Sequence, residues 1–158
     1  RLALIRCYVS MAQHSEVIAT ETRILAHSKV SPEVEQEVQY CRAKAYYAQN
    51  DMENAMSDLT LLAQDTRTLY GAEAAYIIAQ HYFDSNRIDE AEQTANNFVQ
   101  QGTPHAYWLA RNFILLADIY VAKNDSYTAR QYLLQLRENY PGSNDDIAEL
   151  IANRLEKL

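Results

Sequence analysis

Residues that interrupt helices are scarce in this sequence, which has only three glycines and three prolines among 158 residues. Because both residue types are unfavourable inside helices, their scarcity favours helix along almost the whole chain. The hydrophobic fraction of 48% and the charged fraction of 22% are typical of a globular protein and exclude a disordered chain. We therefore predict an all-α fold.

Runs of basic residues and long apolar runs are also missing. No two lysines or arginines are adjacent, and the net charge is −7, so the sequence lacks the basic stripe that binds nucleic-acid phosphates. The longest apolar runs, 74–79 and 113–117, are far shorter than the roughly 20 residues that span a bilayer. We expect no nucleic-acid partner and no membrane insertion of this segment.

Cysteine is scarce too, with only Cys7 and Cys41. Two cysteines so far apart make neither a zinc motif nor a disulfide framework, and we interpret both as small buried side chains, with a bridge or reactive thiol as the alternative. His81 and Asp84 come nearest to a metal pair, but two ligands are too few. No nucleophile elbow, phosphate-binding loop or zinc-protease motif occurs. We predict no enzyme activity, no catalytic residue, no cofactor and no metal.

One pattern recurs along the chain: a small residue, a tyrosine three positions later and another small residue nine positions after the tyrosine. The tyrosines of its four copies lie 38, 36 and 38 residues apart, a period that indicates an array of helical repeats. The copies are Ile5, Tyr8 and Val17 (degenerate); Ala43, Tyr46 and Ala55; Ala79, Tyr82 and Ala91; and Ala117, Tyr120 and Ala129.

The alanines of this pattern have a physical reason, because two antiparallel helices approach closely only where the side chains at the crossing are small. The tyrosine is expected to fill the wedge between neighbouring repeats. By analogy with truncations of buried large side chains, we expect the loss of one such tyrosine to cost about 3 kcal/mol.

Turn-forming residues divide each repeat into two helices. Glycine and proline lie near the proposed repeat ends, and softer breaks occur within the repeats at Asn50-Asp51, Ser85-Asn86 and Asn124-Asp125-Ser126. We expect these polar side chains, and Ser143 before a terminal helix, to cap the helices that follow them. The predicted helices are 2–12, 15–28, 33–48, 52–65, 70–84, 88–101, 105–122, 126–139 and 144–157.

We assign these helices to one domain, 1–158. Its repeats are 1–31, 32–69, 70–104 and 105–142, followed by a terminal helix at 143–158 that covers the apolar face of the last repeat. The sequence starts at Arg1 and not at a methionine, and the first predicted helix begins at the next residue, so we expect it to be a piece of a longer chain.

Residues 37–141 resemble tetratricopeptide repeats in their small residue, first-helix tyrosine and second-helix alanine, and Pro141 matches the family's terminal proline. Gln39, Ala75 and Phe113 stand where the family has an opening tryptophan, and the repeats are longer than usual. The ending "LRENYPGS" and the irregular repeat length resemble arrays in bacterial cell-envelope proteins of the outer-membrane-assembly and Tol-Pal-coordinator type. That resemblance implies a periplasmic or envelope-associated protein.

The resemblance to tetratricopeptide repeats implies a right-handed α-solenoid that serves as a non-catalytic scaffold and binds a protein or peptide in a concave groove. Its groove positions would be Tyr40, Lys44, Tyr47, Tyr76, Gln80, Phe83, Ile114, Asp118 and Val121, extended by Arg6 and Val9. The central row of these positions is Arg6, Lys44, Gln80 and Asp118, and its charge would run from positive to negative.

Two alternatives stay open. In the first, the groove aromatics are ordinary packing between neighbouring helices. In the second, they are covered by a second copy or by another part of the full-length protein, and the protein is a self-association module. Trp108 is either a binding anchor or a residue that packs on the preceding repeat.

Overall fold

The computed structural model describes residues 14–27 and 31–158, and in these ranges the chain forms eight α-helices and no strand. The all-α prediction is confirmed. The predicted helix 2–12, with Arg6, Cys7 and Val9, lies outside the described residues. The helices are α1 (His14–His27), α2 (Pro32–Ala48), α3 (Met52–Leu62), α4 (Leu69–Asp84), α5 (Ile88–Gln101), α6 (Ala106–Ala122), α7 (Ser126–Asn139) and α8 (Ile147–Glu156).

The described residues divide into two compact units, an N-terminal unit of residues 14–27 and 31–64 and a C-terminal unit of residues 65–158. In the N-terminal unit, α2 packs on both α1 and α3. In the C-terminal unit, α4 and α6 each pack on the second helix of their own pair, and α6 also packs on α4 and α5 of the preceding pair. This packing of consecutive helices is that of a helical-repeat solenoid.

The alanines of the repeat pattern are buried as predicted. All six are at most 1% exposed, so they permit close approach within the pairs α2–α3, α4–α5 and α6–α7. The three tyrosines, in contrast, are only partly buried. Cys41 is buried, as expected, and its neighbours in the N-terminal core are Val17, Ile24, Val38 and Ala45.

The turn inside each pair has the same geometry three times. Asn50, Asn86 and Asn124 have φ values of 59°, 61° and 63°, in the left-handed region that asparagine tolerates better than most residues. The backbone N–H of the following residue donates to the carbonyl of the repeat tyrosine at 2.8 to 2.9 Å. These bonds form a Schellman motif, which ends the first helix of each pair at an equivalent position.

The capping predictions are confirmed at two of the three turns. Asp51 accepts from the N–H of Asn54 at 3.4 Å, and Asp125 accepts from the N–H of Thr128 at 3.1 Å. The prediction for Ser85-Asn86 is wrong, because α5 starts after Arg87, which makes no side-chain cap. Asn86 instead takes the left-handed position.

The start of the terminal helix also differs from the prediction. Ser143 does not cap it, because α8 starts only at Ile147, whose N–H donates to Asp145 at 3.0 Å. Its apolar stripe nevertheless packs as expected, since Ile147 and Ile151 lie in one buried cluster with Ala110, Ile114, Ala117, Ala129 and Leu133. The terminal helix therefore covers the apolar face of the last helix pair.

Gly71 was expected to separate two repeats, but it lies in the first turn of α4. Thr68 is the N-cap of that helix, and its hydroxyl accepts from the Gly71 N–H at 2.9 Å. Glycine is tolerated there because the first turn has few intrahelical bonds to lose.

Candidate partner-binding surface

The predicted groove residues of the C-terminal unit lie on its first helices. We call them the first-helix face: Tyr76, Gln80 and Phe83 on α4, and Ile114, Asp118 and Val121 on α6. Their spacing of three or four residues places each set along one side of its helix. Gln80, Phe83 and Asp118 are partly buried and Val121 is 42% exposed, whereas Tyr76 is 7% and Ile114 only 2% exposed. The buried two offer little area to a partner.

Arg111 on α6 connects the two first helices. Its Nη1 donates to the hydroxyl of Tyr107 at 2.9 Å, and its Nη2 donates to the hydroxyl of Tyr76 on α4 at 3.0 Å. The guanidinium carbon lies 5.1 Å from the Tyr76 ring centroid and 5.9 Å from that of Tyr107, which is cation–π distance. One arginine thus binds both tyrosines through their hydroxyls and their rings.

Both hydroxyls extend this arrangement into a chain of hydrogen bonds. Tyr76 donates to Gln80 Oε1 at 3.0 Å, and Gln80 Nε2 donates to Asp84 Oδ1 at 2.8 Å. At the other end, Tyr107 donates to Asp146 Oδ1 at 2.9 Å. Side chains held in this way lose less conformational freedom when a partner binds, which lowers the entropic cost of association.

The protonation state of the tyrosines supports this direction of donation. Burial raises the pKa of Tyr76 above its usual value, although the nearby Arg111 opposes the shift. Burial also raises the pKa of Tyr107, and Arg111 again opposes it. Both hydroxyls therefore carry their protons at neutral pH and act as donors to Gln80 and Asp146.

Trp108 packs against the same tyrosines. Its ring centroid lies 5.0 Å from that of Tyr107, edge to face, and 5.7 Å from that of Tyr76 on the preceding first helix. This contact agrees with the interpretation of Trp108 as a residue that packs on the preceding repeat. Trp108 is the single tryptophan of the protein, and it therefore lies next to the hydrogen bonds that run through Arg111.

Asp118, at the centre of the face, is bound by the terminal helix. Arg154 on α8 donates Nε to Oδ1 at 2.9 Å and Nη2 to Oδ2 at 3.0 Å. A 130 Å³ cavity opens beside this pair, with apolar walls from Ala117, Val121, Leu133 and Leu158. Part of the predicted groove is therefore covered by the chain itself.

The predicted groove residues of the N-terminal unit lie on α2. Tyr40 and Lys44 are partly buried, and the Lys44 ammonium lies 5.7 Å from the Tyr40 ring centroid. Tyr47 is 42% exposed. This helix therefore presents one exposed aromatic ring beside a lysine that contacts a second ring.

Sequence reasoning missed Tyr107, Arg111 and Arg154. The only local signal was the spacing of Tyr107 and Arg111, which puts them one turn apart on the same side of α6. Their bonds to distant parts of the chain join residues 35 to 39 positions apart in sequence, and periodicity within a helix says nothing about such pairs.

A scan against protein-family models matches residues 107–143 to the family described as tetratricopeptide repeat. Over this stretch the chain is similar to a single tetratricopeptide repeat. The match covers α6 from Tyr107 onwards and all of α7, with Ala117, Tyr120 and Ala129, so it confirms the resemblance inferred from this last copy of the pattern. Tetratricopeptide repeats generally mediate protein–protein interactions and are typically non-catalytic. No curated protein and no solved structure gave a significant match.

Residues 14–27 and 31–158 were also searched for membrane-spanning helices and for groups of metal ligands. None of the helices there has the length and apolar character needed to cross a membrane. Nor do histidine, cysteine, aspartate and glutamate side chains of these residues gather in threes where they would hold a metal ion.

Proposed function

We propose that this protein is a non-catalytic interaction scaffold that binds an extended or helical peptide segment of a partner protein on the first helices of its tetratricopeptide-like pairs. The observation that carries the proposal is the hydrogen-bonded chain through Arg111, which orders polar side chains across α4 and α6. The general role of tetratricopeptide repeats in protein–protein interaction supports the same assignment.

The affinity is expected to come from the residues of the first-helix face that retain exposed area. Phe83 and Val121 supply apolar contact, while Gln80 is held by bonds to Tyr76 and Asp84 and has one further N–H and one further lone pair to offer. Preformed polar groups beside exposed apolar side chains are typical of peptide-binding surfaces.

The N-terminal unit contributes a second, smaller surface on α2 under this proposal. Tyr47 is the exposed ring, and Lys44 supplies a positive charge beside Tyr40. Aromatic side chains are frequent anchors in protein interfaces because they bury a large area with few rotatable bonds.

Self-association is the competing function, and one observation favours it. Arg154 already binds Asp118, so the chain itself covers part of its first-helix face. A second copy would then complete the cover over Phe83 and Val121. Light scattering at several protein concentrations separates the two functions, since a monomer at all of them is inconsistent with self-association.

The test uses a display library of random peptides selected on the parent protein. The groove variant carries Gln80→Ala and Phe83→Ser, and the matched control carries Tyr127→Ser, because Tyr127 is an aromatic side chain that is 75% exposed on α7, a second helix. We expect selected peptides to bind the groove variant at least tenfold more weakly, about 1.4 kcal/mol, and to bind the control unchanged.

Circular dichroism first verifies that all three proteins fold equally. Equal binding to parent and groove variant, or an equal loss in the Tyr127 control, would contradict the assignment of the first-helix face. Failure to select any peptide, together with a concentration-dependent dimer, would favour self-association.

A further inference from the structure

An acidic side chain is buried where the first two described helices meet. Glu21 on α1 is 0% exposed, and neither of its carboxyl oxygens has a hydrogen-bond partner among the residues that the structure describes. A carboxylate that is ionised, buried and unpaired is strongly unfavourable, because it loses its hydration and gains nothing in return. The side chain is therefore accommodated only in its neutral form.

Arg42 on α2 is the cation whose charge acts on Glu21, but it is already bound. Its Nε and Nη2 donate to Asp58 on α3 at 2.8 and 2.6 Å, and its Nη1 donates to Thr22 at 3.4 Å. The Asp58 side chain is 4% exposed, so if Arg42 left this bidentate pair, Asp58 would become a second buried charge without a partner. Arg42 is thus not available as a partner for Glu21.

The charges facing Glu21 from the packed helices are Arg42 on α2 and Asp58 on α3. Burial raises the pKa of Glu21 from 4.5 to about 9; Arg42 opposes this shift and Asp58 reinforces it. The unfolded or undocked side chain titrates near 4.5, so between these two values the docked state binds a proton that the undocked state has released.

We propose that protonation of Glu21 controls the docking of α1 on α2, so that ionisation of this buried carboxyl releases the helix. The released surface is the N-terminal core, in which Val17 and Ile24 of α1 pack against Val38, Cys41 and Ala45 of α2. Rising pH opens this core, and falling pH closes it. This device lies in the N-terminal unit and does not depend on the proposed binding function.

The direction of the effect follows from the proton balance. Because the docked state holds the extra proton, docking is strongest below pH 4.5 and weakens as the pH rises towards about 9. Within this window the docking equilibrium changes by about tenfold for each pH unit.

The experiment uses the Cys41 thiol as its probe, because it is buried in the core that opens. A Cys7→Ser background leaves it as the single thiol of the chain. Its rate of modification by a small thiol reagent is measured at several pH values between about 6 and 9. Each rate is divided by the rate in denaturant at the same pH, which removes the effect of thiolate formation.

We expect the protection of Cys41 in the parent to fall by about tenfold per pH unit, and the protection in Glu21→Gln to be independent of pH. Glu21→Leu is a second variant without a titrating group. It replaces Glu21→Gln in the comparison if the buried glutamine amide prevents folding. Protection that does not change with pH in the parent, or the same slope in parent and variants, would overturn the proposal.

Discussion

Arg154 binds Asp118 with two parallel hydrogen bonds, from Nε to Oδ1 at 2.9 Å and from Nη2 to Oδ2 at 3.0 Å. A related contact exists one helix pair earlier, where Arg111 donates a single hydrogen bond to the Tyr76 hydroxyl at 3.0 Å. In both cases an arginine reaches back to the preceding first helix, over 36 and 35 residues of sequence. Arg111 thus ties α4 to α6 and Arg154 ties α6 to α8, and the residue that each arginine binds, Tyr76 or Asp118, belongs to the first-helix face.

Removing the Arg154 bonds should destabilise the C-terminal unit. Both side chains are about one third exposed or less, so the pair is partly shielded from water. We expect Arg154→Met, which keeps the apolar stem, to lower the free energy of unfolding in urea by about 1 to 2 kcal/mol. Arg130→Met, on the exposed side of α7, is the matched control and should change it by less than about 0.5 kcal/mol.

A double-mutant cycle with Asp118→Asn isolates the pair itself. We expect a coupling free energy of about 1 kcal/mol that decreases as salt is added. Additive single effects at low salt would show that the two bonds do not stabilise the unit.

Arg111→Lys tests the connection between α4 and α6. Lysine keeps the positive charge but cannot donate from two fixed nitrogens to the Tyr76 and Tyr107 hydroxyls. We expect a loss of about 1 kcal/mol in unfolding free energy and a changed Trp108 fluorescence, because this ring contacts both tyrosines. Arg137→Lys on α7 is the control, and an identical Trp108 spectrum in both variants would count against the connection.

The left-handed turn of the last pair gives a backbone prediction. Asn124 has φ 63°, a conformation in which a β-branched side chain is strained. We expect Asn124→Val to destabilise the protein by about 1 to 2 kcal/mol and Asn124→Gly to change its stability by only a few tenths. Asn97→Val, at an exposed helical position of α5, is the control for the effect of a valine on helix propensity. An equal loss of stability at positions 97 and 124 would refute the strain at Asn124.

Truncation of a repeat tyrosine should cost less than the sequence suggested. Tyr120 is partly buried, and its ring stacks on that of Tyr132 with centroids 5.5 Å apart. We expect Tyr120→Ala to cost about 2 kcal/mol instead of about 3, because part of the ring is already in water. Tyr120→Phe keeps the stacked ring and should cost less than about 1 kcal/mol in the same urea experiment, whereas equal costs for both variants would assign the effect to the hydroxyl.

Helix pairs and their crossing points are the features that local sequence encodes most directly. Ala79 and Ala91 recur at the same offsets as Ala117 and Ala129, and only small side chains fit where antiparallel helices cross. The cap of α5 was misread because the Ser85-Asn86 pattern does not say whether Asn86 caps the next helix or ends the previous one. The left-handed φ of Asn86 shows that this residue ends the previous helix.

The sequence by itself therefore determined the helical class and the repeat period, because both follow from interactions within about four residues or from the regular spacing of small side chains. Only the tertiary structure decided which groove positions are accessible. Tyr76 and Ile114 lie on the same sides of their helices as the more exposed Phe83 and Val121. They are nevertheless buried, since Arg111 and α8 reach them from segments distant in sequence. Glu21, an ordinary charged residue in its local sequence, becomes an unpaired buried acid for the same reason: burial depends on which helices meet, and a single helix does not encode it.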